Sequence, residues 1–469
     1  MRTAACSVLA AALTASLAAA GCGSSAPPEL PAAAFGQVDV SHAPGPQEEV
    51  SAAIDPNDDR VLLAGSNEGV ENSMRFYQST DGGARWSSAL APQLGLRGSW
   101  CAYGDPSLGI DGDGREYYAF LAAPFPCTTE GRGQIYVATR SGPGGTWSSP
   151  TTPVAPPAVR QDDDKPALAV DLDASSPHRG RAYVVWARQF GFEDRRLLVS
   201  HTDDHGATWS TPVRVSGVPA FPINSSVAVG ADGTVYVAWD DVLQGKILVD
   251  RSEGGDAHFG PDREVAPYLV AVTRPDCGRR VLIPAQPTRC VGPATTLVVD
   301  RSGGRYDGRV YVTYAALAVR PAEDVFVAAF DSMLRRRIVG DRVVPRGARV
   351  NPPDGPRLAD QFLPVAAVDQ SNGVLWVCFY DTRRDPTRRH AVFSCTASSD
   401  GAEHWSRPRA AASRASDLSR PGLDELQYGE YAGLAVAHGL AHALWTDSRC
   451  RRTFGKEIYA TVLRERDLR

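Results

Sequence analysis

The chain has 469 residues, 22% of them charged and 43% hydrophobic, with a formal net charge of -5. That length holds two or three ordinary domains or one large repeat fold, and the composition suits a soluble globular protein. The negative balance excludes nucleic acid as the main partner. Only three of the 49 basic residues are Lys, at 165, 246 and 456.

The first 21 residues read as a leader rather than as fold. Arg2 gives a positive start, Val8–Ala20 an apolar run too short to span a membrane, and Ala19-Ala20-Gly21 precedes Cys22. This stretch resembles a bacterial lipoprotein signal, which implies lipid on Cys22 and an extracytoplasmic location at the cell envelope. Residues 22–34, rich in Ser, Pro and Ala, form a tether. The lipid would be the protein's sole membrane contact.

From residue 35 on, one pattern recurs. A short apolar strand, a Gly/Asp turn and a second strand appear seven times, the second strand carrying aromatics in six of them. Glu49–Asp55 leads to Val61–Ser66, Asp105–Asp111 to Tyr117–Phe120, and Lys165–Asp171 to Tyr183–Trp186. Asn224–Gly230 leads to Tyr236–Trp239, Thr295–Asp300 to Tyr311–Tyr314, Pro364–Asp369 to Trp376–Phe379, and Ala432–Ala437 to His442–Trp445. Early repeats stand 60 and 59 residues apart, and inserted loops stretch later ones to about 70. Four short strands per repeat at this spacing predict an all-β β-propeller. Seven blades are favoured, and six is the alternative if unit one or five is decoration.

A polar turn marks several units. Ser79–Trp86 (STDGGARW), Thr202–Trp209 (TDDHGATW) and Ser398–Trp405 (SSDGAEHW) share a frame of hydroxyl, Asp, Gly and Trp, with Ala402 replacing Gly in the third. The Asp and hydroxyl side chains suit a tight turn and Gly a positive φ. Units two and four keep eroded forms ending at Trp147 and Phe259, and unit five has none. The last unit supplies three strands. Phe35–Ser41 is predicted to add the fourth and close the ring, removing two sheet edges.

Beyond Cys6 and Cys22 the chain carries seven cysteines. Cys101/Cys127 and Cys277/Cys290 read as staples of long loops, Cys378 and Cys395 fall on neighbouring strands of one hairpin, and Cys450 is left over. Asp111-Gly112-Asp113-Gly114 is half a calcium loop at most, in a turn where those residues belong anyway. No ligand spacing, phosphate loop or thiol or serine nucleophile pattern appears, so neither metal nor cofactor is expected, and the protein is expected to be a monomer.

These residues resemble the sialidase superfamily, the Asp-box (BNR) repeat proteins, over residues 35–469. The runs Asp360–Phe362, Phe379–Arg383, Tyr428–Leu434 and Trp445–Arg449 look like a bacterial exo-α-sialidase-like subgroup. The resemblance implies boxed turns on the face away from substrate and action on a terminal acidic sugar of a glycan, the alternative being a non-catalytic propeller that binds glycan or protein. It also implies a site of arginines gripping a carboxylate, a Tyr nucleophile activated by Glu, and an acid/base carboxylate. By position on the opposite face, Arg188, Arg383 and Arg449 form the expected arginine set, with Asp241, Tyr380, Asp381 and Asp447 beside them. Tyr428 with Glu430, or Tyr380, is the expected nucleophile, and Glu68 or Asp164 the acid/base. One departure stands out: the superfamily's Arg-Ile-Pro run before the first box is absent, and Met74-Arg75-Phe76-Tyr77 occupies its place.

Overall fold

The computed structural model describes residues 36–468, apart from 44, 69–72, 93–94, 96–99, 125–132, 157–160, 191–193, 218–220, 257, 268–276, 278–279, 318–321, 336, 340–341, 344–346, 354–357, 420–426 and 450–454. The leader, Cys22 and the tether, together with Cys127 and Cys450, lie outside the described residues.

Seven antiparallel sheets form the blades of a β-propeller. Their inner strands are Gln47–Ile54, Trp100–Ile110, Gln161–Val170, Pro222–Val229, Thr296–Val299, Gln361–Asp369 and Gly433–Ala437, which define blades 1 to 7. Each inner strand approaches those of its two neighbours, and that of blade 7 approaches that of blade 1, so the sheets close into a ring around a channel. Second strands such as Ala182–Phe190 and Val374–Asp381 are buried on both faces, between blades, and so read as near-continuous apolar runs. Trp186, Trp239, Trp376 and Trp445 are fully buried there.

Blade 7 closes as the sequence predicts. Val38–Asp39 pairs with Glu457–Arg464 in the register Val38↔Ala460 and Asp39↔Tyr459. Ser41 locks this seam, donating its hydroxyl to Glu457 at 2.5 Å and accepting Ile458 N at 2.9 Å. Blade 2 has three strands in its sheet instead of the four expected. Among the described residues its outer edge is bonded by Ser148 N to Thr139 O and Val154 N to Ile135 O, both 2.8 Å, and by Thr139 N to the Ser148 hydroxyl at 2.9 Å.

The three boxed turns share one hydrogen-bond pattern. The hydroxyls of Ser79, Thr202 and Ser398 donate to Asp81, Asp204 and Asp400 at 3.0, 2.8 and 2.9 Å. Each hydroxyl accepts a backbone N–H four residues on, from Gly83, Gly206 and Ala402. Those three residues have φ of 82°, 86° and 72°, which explains Gly at the position and the departure Ala402 represents. Pairing of Leu62 with Ser79, and of Glu68 with both Gln47 and Ser73, puts the box of blade 1 at the end of the sheet opposite Glu68 and Glu49.

The other end carries a repeated irregularity. In six blades one non-glycine residue near the start of the inner strand has positive φ: Glu49, Asp105, Lys165, Asn224, Ala294 and Leu363, all between 48° and 58°. Where both strands pair across it, the register slips. Such bulges re-aim side chains and hold strain that a closed ring over-determines. Repeated around the axis, they ring the channel mouth.

Two cross-links are seen among the described residues. Cys378–Cys395 joins directly opposed residues of blade 6. Cys277–Cys290 staples an unpredicted hairpin, Val281–Ile283 with Gln286–Val291, inserted between blades 4 and 5.

Candidate functional site

A cavity of about 300 Å³ opens at the channel mouth, and all seven inner strands or their leading residues line it. Its polar end is built by the bulge residues. Asp105 and Lys165 occupy equivalent steps of blades 2 and 3, and Glu430 and Tyr431 lead into blade 7. Lys165 Nζ lies 3.1 Å from Asp105 Oδ1 and 2.6 Å from Glu430 Oε2. The two carboxylate oxygens can stand no farther apart than the sum of those distances.

The inserted hairpin brings two more cations. Arg289 is 2.8 Å from Glu430 and 3.6 Å from Glu49, and Arg280 is 3.6 Å from Glu430. Packing holds the hairpin in place: Val281, Ile283, Ala285 and Val291 share a core with Phe362, Leu363 and Tyr428. Gln427 accepts Thr288 N and Arg289 N, both at 3.1 Å, and Gln286 accepts Tyr428 N at 3.3 Å. On the blade 1 side, Asn67 donates to Glu49 at 2.7 Å and accepts Asp105 N at 3.0 Å. Asn224 donates to buried Asp240 at 3.0 Å. Tyr431 lines the cavity with its ring 5.7 Å from Lys165 Nζ, and its buried hydroxyl has no hydrogen-bond partner among the described residues.

The electrostatics separate the two acids. Burial pushes Asp105 up to about 8, Lys165 opposing it and Glu49, Asp164 and Glu430 adding to it. Burial acts on Glu430 in the same sense but is outweighed by Lys165, Arg289 and Arg280, which hold its carboxyl well below the usual range. The two acids are thus pushed in opposite directions, Asp105 toward its protonated form and Glu430 toward its ionised form, the division expected of an acid/base pair.

The structure gathers only part of the expected site. Glu430 is at the mouth. Asp164, next to Lys165, pairs with Arg195 at 2.5 Å and does not line the cavity. Glu68 is buried, held by Gln47 at 2.6 Å and Arg75 at 2.5 Å. Tyr428 does not meet Glu430: its ring packs on Phe362 and Tyr380, and its hydroxyl donates to Ser416 O at 3.0 Å. Tyr380 is core as well, donating to Thr446 O at 3.0 Å. Asp241 closes a turn, accepting Gln244 N at 2.9 Å.

The expected arginine set is not brought together. Arg188 forks Asp163 at 2.6 and 2.7 Å, Arg449 donates Nε and Nη2 to the one oxygen Asp447 Oδ2 at 2.9 and 2.6 Å, and Arg383 lies 2.5 Å from Asp381. Each guanidinium is taken by a carboxylate of its own blade, and none lines the channel cavity. Arg449 also donates to Ser413 at 3.1 Å and to Gln37, beside the ring-closing strand on the rim. The half calcium loop serves its turn: Asp111 accepts the backbone N–H of Asp113 and Arg115, both at 2.9 Å, and the Tyr117 hydroxyl at 3.0 Å. Among the described residues no group of three or more His, Cys, Asp or Glu is placed to hold a metal ion.

Lys165, Tyr431, Arg280 and Arg289 are the mouth residues that the sequence reading missed. One signal pointed to the first: Lys165-Pro166 aligns with Asp105-Pro106 at the head of the repeat, in a chain with three lysines.

No protein-family model matches the chain, and no curated protein matches it either. Solved structures do. An ulvan lyase described as a new family of polysaccharide lyase superposes with a TM-score of 0.50 at 13% identity, covering 92% of this chain and 96% of that one. Hadza microbial sialidase Hz136 gives 0.47 at 15% identity, covering 87% of this chain and 74% of that one. Trypanosoma rangeli sialidase gives 0.41 at 10%, covering 92% and 59%. At these identities the likeness is one of fold.

Proposed function

We propose that the protein acts on glycans at the channel mouth, as a sialidase-like glycoside hydrolase of terminal acidic sugars. One observation carries this reading: two carboxyls, Asp105 and Glu430, share the Lys165 ammonium and face an open cavity, with burial favouring the protonated form of the first and the nearby cations the ionised form of the second. Asp105 would give its proton to the glycosidic oxygen as the C–O bond breaks. Glu430 would attack the anomeric carbon or prime a water, and the limit on their separation suits the retaining spacing of about 5–5.5 Å. Arg289, Arg280 and Lys165 supply the positive field for the sugar's carboxylate. Tyr431, with its unpartnered hydroxyl, takes the place in the cavity expected of Tyr428. Turnover of fluorogenic sialosides and uronides tests the reading. Activity that falls by 10²–10⁴ in Glu430→Gln and Asp105→Asn would support it; no turnover of either substrate class by the wild type would reject it.

A second reading is favoured by the mutual pairing of Lys165, Arg289, Asp105, Glu49 and Glu430: a propeller that binds glycan without cleaving it. Calorimetric binding of acidic oligosaccharides without turnover would select it. We further propose anchoring at the cell envelope through lipid on Cys22. A diacylglycerol adduct on Cys22 by mass spectrometry, lost in Cys22→Ala, is the expected result.

A further inference from the structure

A second cavity lies far from the channel, on the outer flank between blades 5 and 6, with a volume of about 840 Å³. No inner-strand residue lines it. Four arginines do: Arg349, Arg383, Arg384 and Arg407, together with Trp405 and Pro352. One acidic residue, Asp381, is among its lining residues.

The arginines fall into two pairs. Arg349 and Arg383 are set by a buried chain of amides and carboxylates. Arg349 pairs with Asp324, and Asn351 donates to Asp324 and Gln361, both at 2.8 Å. Gln361 donates to Asp381 at 3.0 Å, and Asp381 holds Arg383. Asp324, Asn351, Gln361 and Asp381 are all at most 5% exposed. The network therefore fixes two guanidiniums on the wall of the groove before any ligand arrives. Arg383 Nη2 and Trp405 Nε1 are buried donors without a hydrogen-bond partner among the described residues. Arg384 and Arg407, in contrast, are exposed at the rim. Neither makes an ion pair among the described residues.

We infer that this groove is an accessory site for a segment of acidic polysaccharide, bearing carboxylate or sulfate groups, separate from the channel mouth. Guanidinium forks match those anions bidentately, and rigid arginines lose less freedom on binding than mobile ones. Trp405 and Pro352 give the apolar wall that a sugar face needs, which a purely ionic surface would lack. The inference rests on the proposed function only for the ligand's being a glycan; the anion site stands on its own geometry.

The test measures binding of polygalacturonate, dextran sulfate and neutral dextran at physiological salt. Wild type is expected to bind an acidic polymer and not the neutral one. Arg384→Glu/Arg407→Glu should weaken that binding about tenfold or more, since both residues are exposed and their reversal leaves the fold intact. A control double reversal of exposed Arg179 and Arg335, on turns elsewhere, should leave it unchanged. Glu430→Gln should keep the binding, and the rim variant should keep any turnover of a small fluorogenic substrate. Failure of the proposed function would remove turnover and spare this binding. Absence of binding by wild type, equal loss in the control, or loss in Glu430→Gln would each overturn the proposal. So would equal, rim-dependent binding of a short RNA, because the groove would then be reading charge without sugar.

Discussion

Lys165 of blade 3 reaches Glu430 of blade 7 across the channel, Nζ to Oε2 at 2.6 Å. The contact joins two blades that are not neighbours in the ring. Replacing Lys165 with Met would leave the ionised Glu430 without its closest cation. Removing one partner of a buried pair typically costs about 3–5 kcal/mol. Urea unfolding should show a loss of that order for Lys165→Met and a smaller one for Asp105→Asn, since burial already disfavours the charged form of that carboxyl.

The same cluster fixes the pH behaviour expected of activity. Asp105, pushed up to about 8, must hold a proton to act as the acid, so turnover should fall as pH rises through that value. Glu430, held low, must be ionised and should limit turnover only in strong acid. A profile of kcat/KM flat through weak acid with one alkaline limb is expected. A limb that stays in place in an active Asp105→Glu variant would assign it to another group.

His442 gives a stability signature. Its ring lies buried in blade 7, both nitrogens lack a hydrogen-bond partner among the described residues, and burial lowers it to about 4. The unfolded chain takes up a proton near 6.5, so stability is full above that pH and falls as pH drops toward 4. The contribution at stake is at most about 3 kcal/mol. Comparing wild type with His442→Phe by urea unfolding at pH 7 and 4.5 should show a shallower loss in the variant.

Ser79 and Ser398 close equivalent turns in blades 1 and 6. Each Ser→Ala change should cost about 1 kcal/mol through the orphaned N–H, and the double mutant should be additive within about 0.5 kcal/mol, as for distant sites. Thermal unfolding of the four proteins checks both statements. Turnover at the channel should not change, because the boxed turns lie at the far end of the sheets.

The fold was legible because its signals are local. Asp and Gly at turn positions, and aromatics at strand ends, recur in most units whatever the loops do. Ring closure by Val38–Asp39 was legible from the missing fourth strand of the last unit. The site was not, for reasons that can be named. Arg383 and Arg449 sit at equivalent strand ends, but the same repeat places Asp381 and Asp447 two residues earlier, so each pair closes on itself. Tyr428 and Glu430 look like neighbours on one face at a spacing of two. Positive φ at Gln427 and Gly429 breaks that alternation and sends Tyr428 into the core. Arg280 and Arg289 arrive on an insertion, which no repeat alignment can register.

Pairing of residues 38 and 39 with residues 460 and 459 also constrains how the molecule comes into being. The strand Val38–Asp39 has no partner until Glu457–Arg464 is made, so blade 7 can be completed only after the other six blades have been synthesised. Refolding should accordingly have a late, cooperative step in which both ends of the chain gain protection from hydrogen exchange together.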